Sequence, residues 1–249
     1  MRIAVISDVH GNRRAFDAVL KDLEEVSPDL VIHGGDLAAN GAHPAEIIDQ
    51  IRSKGWLGVR GNTDEMLWAP ECLPELADQY PKFGPILRVF EEIIPATRAA
   101  IGEQRLRWLQ TLPVRHSVEG ITLIHASPDD LWRAPSHKAS DEELEITYAS
   151  LRCPIVIYAH IHRPYVRHLK SMTVANTGSV SLSYDGDPRA SYVVVDGEKI
   201  TVRRVDYDRE SEAHDLLHSG LPHAKWFCHI LRAGRYCAPE GLDPGSREE

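Results

Sequence analysis

The chain has 249 residues, 43% hydrophobic and 26% charged, an ordinary globular composition that excludes disorder along its whole length. Its formal net charge of −9 leaves no basic footprint for duplex nucleic acid, which is therefore not expected as a partner. No apolar run approaches the roughly 20 residues of a membrane span, and the apolar stretch 3–6 is shorter than the about 7–15 residues of a leader core, so a cytoplasmic protein without a membrane partner is expected.

In chain order, strand and helix alternate over the first sixty residues. Residues 2–7 form a short β-branched run, the mark of a buried parallel strand. Ala15, Phe16, Val19, Leu20 and Leu23 repeat with helical period over 13–26, and Ser27-Pro28 ends that helix. A strand at 30–33, a helix at 44–54 opened by Pro44 and a strand at 56–60 follow, which makes two βαβ units. From 66 to 113 prolines punctuate short helical pieces, the last at 102–110, and this reads as a helical insertion over the site edge. Strands at 114–118 and 121–125 flank the turn signal Glu119-Gly120. A helix over 141–151, capped by Ser140, and strands at 154–159, 172–175, 191–196 and 199–205 complete the pattern. One domain over 1–237 is expected, with a mobile tail at 238–249 rich in Pro, Gly and charge.

The chemistry-bearing residues stand just after predicted strands. They are Asp8-Val9-His10, Gly34-Gly35-Asp36, Gly61-Asn62-Thr63-Asp64, His125 and His160-Ile161-His162. In open α/β sheets ligands bind beyond the carboxyl ends of the strands, so Asp8, His10, Asp36, Asn62, His125, His160 and His162 should converge on one edge. In extended chain residues i and i+2 share a side, so Asp8 with His10, and His160 with His162, should each present a ligand pair. Mixed carboxylate, amide and imidazole ligands suit first-row ions such as Mn, Fe, Co, Ni or Zn. The widely spaced Cys72, Cys153, Cys228 and Cys237 fit reduced thiols better than a thiolate metal site. A single Asp-x-His is a common accident and a lone Gly-Asp is usually a turn; five such segments in one order, each closing a strand, form a pattern.

That order, Asp-x-His, Gly-Asp, Gly-Asn-x-Asp, a lone His and then His-x-His, resembles the calcineurin-like metallophosphoesterase superfamily over about residues 1–205, nearest its small bacterial and archaeal phosphodiesterase-type members. The resemblance implies a four-layer α/β/β/α sandwich of two mixed sheets flanked by helices. It also implies two divalent transition-metal ions: Asp8, His10 and His162 on one, Asn62, His125 and His160 on the other, and Asp36 bridging. Such a pair lowers the pKa of a bridging water from 15.7 towards about 7, and the resulting hydroxide attacks phosphorus in line. Asn12, just after the first motif, and Arg13 open the first helix, whose free N–H groups favour an anion, so both are expected to contact substrate phosphate. The expected activity is hydrolysis of a small phosphoester or nucleotide-type substrate, a diester rather than a monoester. The alternative is a non-catalytic interaction scaffold on the same fold, against which the full set of seven ligands argues.

Many relatives carry His as the third residue of the Gly-Asn-x-Asp segment; here it is Thr63. Threonine cannot serve as a general acid, although its hydroxyl can donate a hydrogen bond. Asn62, Thr63 and Asp64 are the expected catalytic group, with Asp64 orienting Thr63 or a water, or else capping the next helix. His33, one residue before Gly34, is expected to be a structurally satisfied strand histidine.

Overall fold

The computed structural model describes residues 1–239, so the expected tail at 238–249 lies, apart from Ala238 and Pro239, outside the described residues. The elements run β1 (Arg2–Ile6), α1 (Arg13–Val26), β2 (Leu30–His33), α2 (Pro44–Ser53), β3 (Leu57–Gly58), α3 (Asn62–Glu65), α4 (Cys72–Gln79) and α5 (Gly84–Thr111). Then come β4 (Arg115–Val118), β5 (Ile121–Ile124), α6 (Asp141–Tyr148), β6 (Ile155–Tyr158), β7 (Tyr165–His168), β8 (Thr173–Asn176), β9 (Ala190–Asp196), β10 (Lys199–Val205), α7 (Arg209–His218) and α8 (Ala224–Ala233).

Two five-stranded mixed sheets result, in the orders β10-β9-β1-β2-β3 and β4-β5-β6-β8-β7. In the first, β1, β2 and β3 are parallel, β9 runs antiparallel to β1, and β10 antiparallel to β9. In the second, β5, β6 and β8 are parallel between antiparallel β4 and β7. Ile3, Val5, Ile32, Ile121, Leu123, Ile157, Val193 and Val195 fill the space between the sheets. Alternate side chains of the same strands point outward: Ala4, Ile6, Val31 and Val194 under α1, α2, α5, α7 and α8, and Ile124, Val156, Tyr158 and Val174 under α6. The architecture is therefore a four-layer α/β/β/α sandwich, as expected.

Three details differ from the sequence reading. The strand predicted at 56–60 shrinks to Leu57–Gly58, because the chain leaves the sheet there: the Arg60 amide donates to Pro113 O at 2.9 Å instead of to a strand. Pro95 lies inside α5 rather than ending a helix, and the break falls at Gly102, whose φ of +68° a residue with a side chain rarely adopts. Beyond the predicted elements, the structure adds β7, α7 and α8. The helical insertion at 66–113 packs into the fold: Leu73, Leu87, Val89, Ile93, Ile101 and Leu106 join the core cluster that holds α1 and α2.

His33 corrects another expectation. It is fully buried, and neither ring nitrogen has a hydrogen-bond partner. Burial, and to a lesser degree His116, brings its pKa down to about 3, whereas in the unfolded chain it titrates near 6.5. Between those values only the unfolded chain takes up the proton, so this residue's effect on stability worsens as pH falls from about 6.5 towards 3. His33→Leu should therefore raise stability at pH 7 by about 1–3 kcal/mol, the desolvation penalty of an unpaired buried polar group, and flatten the acid limb. Urea unfolding at pH 7 and pH 5 checks both; an unchanged acid limb would mean that His33 is not held neutral.

Candidate metal centre

The ends of β1, β2 and β3 in one sheet and of β5 and β6 in the other meet at a single edge. There the sheets come close. The site where a Gly34 Cβ would sit is 2.9 Å from Ser7 Cβ on one sheet and 3.3 Å from Ala159 Cβ on the other. Backbone bonds stitch the edge together: Asp8 N–H to Gly35 O at 3.0 Å, Gly34 N–H to Ile6 O at 2.8 Å and Val180 N–H to Ser7 O at 3.0 Å.

The predicted ligands do converge, but not through extended chain. Asp8, His10, Asp36, His160 and His162 have φ of +52°, +47°, +55°, +68° and +54°, so five of the seven sit in the left-handed region. Each pair turns two ligands inward by a sharp backbone reversal, not by the alternation of a strand. A left-handed residue other than glycine or Asn/Asp is uncommon and costs of order 1–3 kcal/mol, retained only where the surroundings enforce it.

Asp8, His10 and His162 form one group of adjacent ligand atoms, and Asp8, Asp36 and His125 another. His162 Nε2 is 3.2 Å from Asp8 Oδ1 and 3.3 Å from His10 Nε2. On the other side Asn62 Oδ1 is 2.8 Å from His125 Nε2 and 3.0 Å from His160 Nδ1. Asp36 stands between, its Oδ2 3.8 Å from His10 Nε2 and 3.6 Å from His125 Nε2.

The protons are placed by the backbone. Nδ1 of His10, His125 and His162 faces the carbonyls of Ala39, Gly34 and Leu182 at 3.1, 2.8 and 2.5 Å. A carbonyl oxygen only accepts, so each Nδ1 donates, and in the neutral ring Nε2 is then the lone-pair atom that faces the centre. These lone pairs face one another, the Asn62 oxygen and Asp8 Oδ1, a buried carboxylate oxygen that accepts no hydrogen bond. Burial brings His10 and His160 down to about 4, so both rings are neutral at pH 7. Burial alone would raise Asp8 and lower His125. The rings of His162, His125 and His10 instead hold Asp8 below the usual carboxylate range, and the charges of Asp36 and Asp8 push His125 up. Converging lone pairs and carboxylates require positive charge between them. Two atoms bound to one ion at about 2.0–2.1 Å lie about 3.3 Å apart in tetrahedral geometry, which matches the separations of His162 Nε2 from Asp8 Oδ1 and from His10 Nε2. The residues present fit divalent cations.

Other expected site residues serve as supports. The carboxylate of Asp64 accepts the amides of Asp36 (2.8 Å), Leu37 (2.9 Å) and Gly61 (3.1 Å), so of its two expected roles it takes the capping one, at the start of α3, and it also fixes the backbone that carries Asp36. Burial, then the Asp36 charge, pushes its pKa up to about 7 against those donors. Asn12 caps α1 in place of the expected phosphate contact. Its Oδ1 accepts from Ala15 N at 2.9 Å, and its Nδ2 donates to Ser181 Oγ at 3.1 Å and Tyr207 OH at 3.3 Å. Arg13 is half-exposed and pairs with Asp17 at 3.5 Å. Thr63 is buried; its amide donates to Asp36 Oδ1 at 2.9 Å, while its hydroxyl has no partner.

Sequence reasoning missed the supports. Ser7 Oγ donates to Asp8 Oδ2 at 2.5 Å and Ser179 Oγ to Asp8 O at 2.8 Å. Asn176 Nδ2 donates to Ala159 O at 2.6 Å, just ahead of His160. The Asn176-Thr177-Gly178-Ser179 segment after β8 thus holds the backbone of two of the candidate ligand segments.

The sequence profile of the calcineurin-like phosphoesterase superfamily domain matches residues 1–199. The chain belongs to that superfamily. It is 28% identical over 256 residues to an uncharacterised protein of Methanocaldococcus jannaschii, with 94% of this chain and 98% of that one covered. It is also 28% identical over 153 residues to a symmetrical bis(5′-nucleosyl)-tetraphosphatase of Methylococcus capsulatus, covering 60% of this chain and 51% of that protein. The crystal structure of a metallophosphoesterase from Sphaerobacter thermophilus superposes with a TM-score of 0.75 at 26% identity, covering 94% of this chain and all of that one.

Gly61 gives a direct test of the geometry. A Cβ there would sit 2.0 Å from Asp36 Oδ1 and 2.6 Å from the Asp36 amide nitrogen. Gly61→Ala should displace Asp36 and lower divalent-metal affinity by about 10–100-fold, as loss of a support for a ligand does, with an unchanged far-UV circular dichroism spectrum. Metal titration by calorimetry reads the effect, and wild-type affinity in the variant would disprove the placement of Asp36.

Proposed function

We propose that the protein is a two-metal phosphoesterase acting on phosphodiesters of small, nucleotide-type molecules. The observation that carries this reading is the buried convergence of imidazole lone pairs, carboxylates and an amide oxygen at one sheet edge, with three Nδ1 atoms tied to backbone carbonyls. Asp8, His10 and His162 would hold one ion, Asn62, His125 and His160 the other, with Asp36 shared. Divalent ions at such a site supply Lewis acidity toward phosphoryl oxygens and lower the pKa of water towards about 7. The remaining work belongs to the chain. Asp64 and the Thr63 amide hold Asp36 by its backbone and its Oδ1, and Arg13, which would have to leave its pairing with Asp17, is the proposed partner of a substrate phosphate. The family membership and the phosphoesterase relatives support hydrolysis; the threonine at position 63 supports the diester preference, because no imidazole stands there to protonate an alkoxide leaving group.

Protein stripped with a chelator should be inactive on a chromogenic aryl phosphodiester and regain turnover with Mn²⁺ or Co²⁺. Asp36→Asn removes charge between the two ligand groups, so both ions should be lost together, whereas Asp8→Ala should empty mainly one position. Elemental analysis showing two ions in Asp36→Asn would refute the shared role.

Thr63→Ala should leave aryl diester turnover nearly unchanged. Thr63→His should raise turnover of alkyl esters selectively, by up to the ~10²–10⁴-fold of general acid catalysis. Loss of aryl diester turnover in Thr63→Ala with both ions still bound would show that the hydroxyl itself is required.

A further inference from the structure

His162 must aim Nε2 at two neighbours at once, Asp8 Oδ1 at 3.2 Å and His10 Nε2 at 3.3 Å. The backbone does not do this alone. A single hydrogen bond, Nδ1 to Leu182 O at 2.5 Å, pins one atom of the ring. Rotation of a histidine ring about Cβ–Cγ is broad and shallow, so the ring plane can still tilt about that bond.

Tyr184 closes the remaining freedom. Its ring lies parallel to the His162 imidazole, with centroids 4.4 Å apart and planes inclined by 22°. Its amide donates to His162 O at 3.0 Å. Residues 182–184 thus grip His162 by ring edge, ring face and backbone. Tyr184 is itself braced: Tyr236 meets it edge-on at 5.6 Å and 70°, and Trp226 meets Tyr236 at 6.2 Å and 88°. The bracing segment is anchored by Trp226 Nε1 donating to Cys237 O at 2.8 Å and Gly186 N donating to Gly234 O at 2.8 Å. Both halves of the centre carry an imidazole pair, His10 with His162 at 5.1 Å and His125 with His160 at 5.2 Å; the first half adds the stacked Tyr184 ring.

From this geometry we infer that Tyr184 is a positioning residue for the His10/His162 half of the metal centre, setting the plane of the His162 ring by stacking and thereby the affinity of that half for a divalent cation. The inference rests on the two-metal reading above. The ring face does the work and the phenol hydroxyl does not.

Calorimetric titration of metal-free full-length protein with Mn²⁺, repeated with Co²⁺ while following its visible absorption, tests it. Tyr184→Ala should weaken one of two binding steps by about 10–100-fold, the usual cost of losing a support around a ligand, and leave the other step in place. His162→Ala should abolish that same step, and Tyr184→Phe, which keeps the ring, should restore it with the wild-type Co²⁺ spectrum. Tyr236→Leu, which removes the bracing edge, should move the same step in the same direction. Wild-type affinity at both steps in Tyr184→Ala, equal weakening of both steps, or failure of Tyr184→Phe to restore binding would overturn the role of the stacked ring. If His162→Ala itself binds two ions normally, the ligand assignment is what fails. If the wild-type chain binds neither ion, both readings fall.

Discussion

Repulsion between buried lone pairs is the constraint this fold is organised to withstand. Four imidazole nitrogens, two carboxylates and an amide oxygen converge on one sheet edge. Nothing in that set favours closeness until positive charge is present. The rigidity must therefore come from outside: from backbone carbonyls that fix the rings, from amides that fix Asp36 through Asp64, and from serine hydroxyls that fix Asp8.

The two sheets divide this work. The first brings Asp8, His10, Asp36 and Asn62; the second brings His125, and the loop after β6 brings His160 and His162. His125 reaches across to the carbonyl of Gly34, so a ligand of one sheet is oriented by the backbone of the other. Any slippage between sheets would misdirect that ring. The dry core of Ile3, Val5, Ile32, Leu123, Ile157 and Val193 resists such slippage, because shifting close-packed side chains opens voids. Sheet packing and ligand geometry are one mechanical problem.

Much of this was legible in the residues. Strand-end carboxylates and imidazoles mark a ligand edge because parallel strands deliver their C-terminal loops to one side, and the seven residues proposed as ligands meet there. Their backbone was not legible. Extended pairing at i and i+2 was a reasonable expectation for Asp-x-His, but Asp8, His10, His160 and His162 lie in left-handed turns whose backbone groups bond to distant chain. Asp64 stayed open between a catalytic and a capping role for the same reason: a carboxylate that serves backbone amides cannot be told from a catalytic one without knowing where those amides lie. β7, with Tyr-Val-Arg-His, shows little alternation, and α7 is too polar to announce a buried face. α8 was readable, since Trp226, Phe227, Ile230 and Leu231 recur at helical spacing. Tyr184 carries no local signal at all, because its significance lies in a ring twenty-two residues earlier.

Strand β1 is flanked by β2, made almost immediately after it, and by β9, made some 190 residues later. Ser179, which holds the Asp8 carbonyl, and Leu182, which orients His162, also come late. A ribosome adding about 5–20 residues per second therefore exposes Asp8 and His10 for roughly ten seconds or more before their supports exist. During that interval the early ligands are flexible side chains with little power to select among cations. On the two-metal reading, selection and retention of metal would begin only when the last strands dock, so the topology itself would delay metal loading until the chain is nearly complete.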